Sequence, residues 1–263
     1  MNENLKVVGV QAELAWHDAR ANHNYFAELL GEAPGADIYV LPEMFSTGFS
    51  METKSLAEPM DGPTHQWMVK TAKWKKAVIC GSVIIVEKGH YYNRFIWVDS
   101  SGKTQFYDKR HRFTMAGEHE HFNAGNEQVI VEINGWKIML QVCYDLRFPV
   151  WSRNTQNYDA VIYVANWPAP RTSAWSKLLL ARAIENQCYV VGVNRVGVDG
   201  NDIDYTGASV IVDPKGDVIS DLDDGKEGFV DAVFYKEELE RFRKKFPVLE
   251  DRDSFVIKID PNN

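Results

Sequence analysis

Cysteine is scarce in this sequence: Cys80, Cys143 and Cys188 are the three thiols among 263 residues. They are too few and too scattered for a disulfide framework. No uninterrupted apolar run approaches the ~20 residues of a membrane span. The opening MNENLKVVGVQAEL lacks the charged-then-apolar pattern of a secretory leader. Positive charge is short as well. With 29 Lys and Arg against 37 Asp and Glu, the net charge is −8, which leaves no polyphosphate footprint and argues against a dedicated nucleic-acid binder. Linkers, low-complexity tracts and internal repeats are also missing. The expectation is a soluble protein of a reducing compartment, most simply the cytoplasm, with no nucleic-acid or membrane partner.

What is present has the composition of an ordinary globular protein, 45% apolar and 25% charged. Apolar, β-rich runs recur at 5–11, 38–41, 77–86, 91–98, 128–133, 137–143, 160–165, 189–194, 208–212 and 228–233. Several, such as VICGSVIIV and DAVIYVAN, are continuous, as strands covered on both faces are. Helical patterns lie between them. One covers 17–30 and stops at Gly31. A second covers 63–75, with Asp61-Gly62-Pro63 as cap and first-turn proline and Trp67, Val69 and Trp74 along it. A third covers 173–187, with Leu178, Ala181 and Ile184 on one face, and a charged surface helix covers 235–246. Hairpins are expected over 91–107 and 211–220. The pattern predicts one α/β domain over 1–263, with a mixed sheet or two stacked sheets. A last strand is expected at 255–259. The segment 235–263 is expected to reach a neighbouring subunit, making a homodimer or larger homo-oligomer.

The chemistry concentrates at strand ends. In LQVCYDLRFP an apolar strand closes at Cys143 and polar Tyr144-Asp145 follow. A thiol there sits where α/β proteins place their ligand crevice. Its thiolate is the reactive form, and the turn can aim the Tyr144 N–H at a developing oxyanion. The same features suit a buried small residue, the role read for Cys80 and Cys188. A cysteine nucleophile commonly uses His as base, yet no histidine here has a triad context. Glu43 in YVLPE and Lys109 in FYDK stand at strand ends too, although each alone could be a cap or a solvated charge. His119, Glu120 and His121 with His111 could suggest a metal site. Histidines at i and i+2 point alike only on a strand, and no further ligands complete a set, so no metal is expected.

LPEMFSTGF around Glu43, YDKRHRF around Lys109 and LQVCYDLRFP around Cys143 together resemble the nitrilase, or carbon–nitrogen hydrolase, superfamily. VVGVQAEL, ANWP at 165–168, LLLARAIENQCYVVGVNRVG at 178–197 and GASVIVDPKGDVI at 207–219 extend the resemblance over nearly the whole chain. LPEMFSTGF, FTMAGEHEHF and ANWPAPR are most similar to the omega-amidase branch, with Thr114 where Arg is expected. The resemblance implies a four-layer α-β-β-α sandwich, two mixed sheets flanked by helices, and a cofactor-free thiol amidase. By it, Cys143 attacks an amide carbonyl, Glu43 is the general base, and Lys109 with the Tyr144 N–H holds the oxyanion. A free thiol titrates near ~8.5, so Lys109 is expected to raise the thiolate fraction. A second glutamate is implied, Glu118 or Glu120, with Glu118 favoured by its seven-residue distance from Gly125. The implied substrate is a small omega-amide keto acid, 2-oxoglutaramate or 2-oxosuccinamate; an N-carbamoyl or aliphatic amidase and a catalytically silent binding module are the alternatives. Such a substrate needs a cationic clamp and an apolar wall. Phe45 and Trp167 are the wall candidates and Arg171 the clamp candidate. Arg147 is expected in an internal ion pair, and Arg110 and Arg112 are weaker clamp candidates.

Overall fold

The computed structural model describes residues 4–259. Its first half carries strands β1 (Asn4–Gln11), β2 (Ile38–Val40), β3 (Val78–Glu87), β4 (His90–Val98), β5 (Thr104–Asp108), β6 (Ile130–Ile133) and β7 (Trp136–Val142). The second half carries β8 (Ala160–Ala165), β9 (Tyr189–Asn194), β10 (Val196–Val198), β11 (Asp204–Thr206), β12 (Val210–Val212), β13 (Val218–Asp221) and β14 (Gly228–Tyr235). The longer helices are α1 (Ala19–Glu32), α2 (Pro63–Lys75), α3 (Thr172–Asn186) and α4 (Lys236–Lys245).

Among the described residues the strands form two six-stranded mixed sheets, ordered β14-β1-β2-β3-β4-β5 and β13-β12-β9-β8-β7-β6, and a small β10-β11 hairpin. In each large sheet a parallel centre (β1-β2-β3, β7-β8-β9) is flanked by antiparallel strands. Period-two alternation sorts the side chains into layers. Leu5 and Val7 of β1, Ile38 and Val40 of β2, and Val78 and Cys80 of β3 join one apolar cluster with β7, β8 and β9. Val8, Val10, Tyr39 and Ile79 point the other way, onto Phe26 and Leu30 of α1 and Met68 and Ala72 of α2. The outer face of the second sheet is covered by Trp175, Leu179 and Ala183 of α3. This is the expected layered sandwich, two mixed sheets flanked by helices. Both faces of the central strands are covered, which is why their sequences run continuously apolar.

Several local expectations need correction. The buried face of α3 is Trp175, Leu179, Arg182, Ala183 and Asn186, whereas Ile184 is 55% exposed. A Cβ on Gly192 of β9 would stand 2.5 Å from Leu179 Cδ1, so the missing side chain seats Leu179 and turns the helix accordingly. At α2 the cap is Gly62, and Glu58 rather than Asp61 accepts from the Thr64 N–H at 2.7 Å. Residues 255–259 form no strand; Ile257 and Ile259 instead lie against the large core cluster. The end of the segment 235–263, residues 260–263, falls outside the described residues. Among the described residues no helix is long and apolar enough to cross a membrane.

Candidate active site

Three strand ends converge between the sheets. Glu43 follows β2, where the loop is pinned to β3: the Leu41 N–H donates to the Cys80 carbonyl at 2.7 Å and the Met44 N–H to Ser82 Oγ at 2.8 Å. Lys109 follows β5, with its N–H on the Asn93 carbonyl at 3.0 Å and its own carbonyl accepting from Gly125 at 3.0 Å. Only glycine fits at 125, since a Cβ there would stand 2.0 Å from the Asp108 carbonyl oxygen. Cys143 follows β7 at φ +44°, a left-handed conformation that is uncommon for a side-chain-bearing residue.

The side chains meet in a buried cluster. Lys109 Nζ donates to Glu43 Oε1 at 2.9 Å and to both Glu118 oxygens at 2.9 Å, with both carboxylates fully buried. Asn93 Nδ2 spans them, 2.8 Å from Glu43 Oε1 and 3.3 Å from Glu118 Oε1. The second Glu43 oxygen accepts from the Asn166 N–H at 2.8 Å, and Asn166 Nδ2 holds the Glu43 carbonyl at 2.6 Å. Glu118 also accepts from the Phe113 N–H at 2.5 Å. Glu118 is therefore the glutamate that faces Lys109; Glu120, two residues on, is exposed to solvent. Glu43 also acts electrostatically on the Cys143 thiol.

Two carboxyl groups face one ammonium, and this bears on the electrostatics. Burial pulls the Lys109 pKa down, but Glu118 and Glu43 outweigh it and hold the ammonium above the ordinary lysine range. Burial pushes the Cys143 thiol well above its usual range; Glu43 adds to the rise and Lys109 only partly opposes it. Burial likewise raises Glu118 against the pull of Lys109. Lys109 does pull the thiol pKa down, in the expected direction, but burial and Glu43 outweigh it. The arrangement suits proton transfer from sulfur to Glu43 during attack.

Cys143 and Lys109 form part of the floor of a cavity of about 600 Å³. Tyr144 lines it, half-buried, its ring 5.0 Å from Phe113 and 5.2 Å from Phe148. Trp167 forms a buried wall, with its indole N–H on the Arg171 carbonyl at 2.8 Å. Phe45 does not line the cavity. It packs against Phe26 and Trp67 under α1 and α2, because the tight turn at Met44 (φ +44°) sends it to the far face of the sheet. Phe49 stands on the cavity wall in its place.

Two arginines face the cavity. Arg171 lies over Phe113 and places Nη2 3.1 Å from Met115 Sδ. Arg147 is not in an internal ion pair with a described acid. Its guanidinium stacks 4.8 Å over Trp167 and lines the cavity at the end of the turn Cys143–Arg147, whose acid, Asp145, is engaged elsewhere. Arg110 and Arg112 are directed to backbone carbonyls of Gly125 and Phe122. Thr114 is exposed at the start of a short turn, Thr114–Ala116. Among the described residues no group of three or more His, Cys, Asp or Glu is arranged to hold a metal ion; His111 turns instead to Asp145 at 2.8 Å.

Asn93, Asn166, Phe49 and Asp145 were not singled out from sequence. The Asn166 position lies inside the quoted ANWP stretch, a signal that could have found it; Asn93 carries none.

The carbon–nitrogen hydrolase family model matches residues 6–244. The chain is 47% identical over 251 residues to omega-amidase YafV of Escherichia coli, covering 95% of this chain and 98% of that protein. It is 36% identical over 225 residues to the 2-oxoglutaramate amidase of Bacillus subtilis, covering 84% and 86%. Among solved structures it is similar to a CN-hydrolase superfamily protein of Xanthomonas campestris that carries an arsenic adduct in its active site. That match has a TM-score of 0.94 at 42% identity and covers 97% of this chain and 99% of the other.

Proposed function

This chain belongs to the carbon–nitrogen hydrolase family and is an amidase-type hydrolase, and from that premise we propose that it releases ammonia from the terminal amide of a small omega-amide keto acid, 2-oxoglutaramate or 2-oxosuccinamate. The observation that carries the reading is the Lys109 ammonium, held at 2.9 Å by Glu43 and by Glu118, on the floor of a cavity that Cys143 shares. The names of the relatives, omega-amidase and 2-oxoglutaramate amidase, support the substrate class. So do the arginines Arg147 and Arg171 on the cavity wall, which suit a carboxylate at the far end of a short chain.

In this mechanism Glu43 takes the thiol proton as sulfur adds to the amide carbon. The resulting oxyanion is held by Lys109 and the Tyr144 N–H. Glu43 then passes its proton to nitrogen, the C–N bond breaks, and ammonia leaves a thioester on Cys143. Water enters the vacated place, Glu43 takes one of its protons, and hydroxide adds to the thioester carbon. Collapse breaks the C–S bond, the acid product leaves, and Glu43 returns the proton to sulfur. Glu118 and Asn93 hold Lys109 and Glu43 in place throughout. A nucleophilic thiol must stay reduced, so the reading places the enzyme in a reducing compartment such as the cytoplasm. It includes a homo-oligomer, for which exposed Phe255 and Val256 are the available part of the last segment.

The test is ammonia release from both keto acid amides, from N-carbamoyl amino acids and from simple aliphatic amides. The expected result is a preference for the keto acid amides over simple aliphatic amides of roughly 10²-fold or more in kcat/KM, because an amide without a carboxylate leaves the cavity cation unmet. Thiol alkylation should abolish the activity and a chelator should leave it unchanged. A large preference for simple amides would overturn the substrate, and no ammonia from any amide would overturn the enzyme.

A further inference from the structure

Asp145 lies two residues past Cys143, is fully buried and does not line the cavity. Its carboxylate nevertheless gathers four polar contacts. Oδ2 accepts from the Val142 N–H at 3.0 Å and from the Tyr107 hydroxyl at 2.8 Å. Oδ1 accepts from the His111 N–H at 2.9 Å and stands 2.8 Å from His111 Nδ1. Val142 immediately precedes Cys143, so the carboxylate reaches back across the cysteine and closes the turn that holds it at φ +44°. Tyr107 and His111 flank Lys109 on either side, two residues before and two after. The Tyr107 hydroxyl accepts in turn from the Arg110 N–H at 3.1 Å and from Trp151 Nε1 at 3.0 Å. The His111 ring is stacked on Phe148, centroids 3.7 Å apart. One side chain therefore ties the nucleophile turn to both shoulders of the lysine, across 34 residues of sequence.

Resting on the reading of Cys143 as nucleophile, we propose that Asp145 is a positioning residue: its carboxylate fastens the Cys143 turn to the Lys109 segment and so sets the distance between sulfur and ammonium. Hydrogen bonds to an ionised acceptor are stronger and shorter than neutral ones, which suits a fixed spacer. A side chain that only filled space could be replaced by an isostere. The Val142 and His111 backbone N–H groups can only donate, one to each oxygen, so an amide in the same place would turn its NH₂ against one of them.

The test is Asp145→Asn, read in three ways: kcat and KM for the omega-amide, and the rate at which iodoacetamide alkylates Cys143, located by peptide mass. The expected result is a fall in kcat of about 10²-fold, the scale of a ~1 Å misplacement of reacting groups, with KM little changed. Alkylation of Cys143 should slow in parallel. Wild-type kcat and alkylation in Asp145→Asn, or a change in KM alone, would overturn the proposal. Should Asp145→Asn fail to fold, Tyr107→Phe and His111→Phe each remove one donor, the latter keeping the ring stack. Each is expected to lower kcat and alkylation several-fold, and silence of both would overturn the proposal. The alkylation rate is independent of substrate, so a failure of the substrate assignment would leave this readout standing.

Discussion

Replacing Lys109 with Met removes the ammonium between two fully buried carboxylates while keeping most of the side-chain volume. Three hydrogen bonds of 2.9 Å go with it. Asn93 and the Asn166 and Phe113 N–H groups still reach the carboxylates, but none of these carries a charge. Removing one partner of a buried pair costs roughly 3–5 kcal/mol. For a protein of this size each kcal/mol moves Tm by ~2–4 °C, so a fall on the order of 10 °C is expected. The sign of its pH dependence follows from Glu118. Burial raises its pKa and Lys109 opposes the rise, so Lys109→Met lifts the folded-state value further above the unfolded one. The folded variant then holds its proton through a range where the unfolded chain has released it, and stability falls as pH rises through that range. The Tm deficit of Lys109→Met should therefore be larger near ~pH 8 than near ~pH 5. Loss of an oxyanion donor should cost ~10²–10³ in kcat at either pH. Thermal unfolding at the two pH values, with parallel kinetics, measures both. An unchanged Tm, or a deficit that grows as pH falls, would refute the reasoning.

Glu118→Gln should lower kcat by about 10²-fold while exposed Glu120→Gln leaves it unchanged, a pairing read by steady-state ammonia release. The thiolate absorbance that distinguishes wild type from Cys143→Ala should be absent at neutral pH and emerge only above the ordinary thiol range, because burial and Glu43 raise the thiol pKa; a thiolate signal at neutral pH would contradict this. Phe45→Ala should cost ~3–5 kcal/mol of stability by cavity formation, measured by urea unfolding. Phe49→Ala should instead act mainly on KM, since Phe49 lines the cavity and Phe45 does not.

Strand positions were legible because both faces of the central strands are covered, leaving unbroken apolar runs such as those of β3 and β8. Glu43, Lys109 and Cys143 were visible as polar residues ending such runs, and the resemblance linked them across spacings that periodicity alone could not. The choice of Glu118 over Glu120 followed the distance to Gly125, a position that is glycine because a Cβ there would meet the Asp108 carbonyl. What stayed hidden depends on tertiary approach. Asn93 sits mid-strand in β4 and reaches the site only because β4 lies between β3 and β5. The misplaced face of α3 depended on one glycine in another element, and Phe45 on the backbone turn at Met44. Arg147 was expected in an internal ion pair, but the acid nearest it in sequence, Asp145, is held by Val142, Tyr107 and His111.

The account turns on sulfur forming a covalent bond to the acyl carbon. Acid-quenching the enzyme during turnover of 2-oxoglutaramate and weighing its peptides tests this directly. The account predicts a peptide containing Cys143 heavier by the acyl group left after ammonia departs, absent in Cys143→Ala. Ammonia release with no acylated Cys143 peptide, or with full activity in Cys143→Ala, would contradict it.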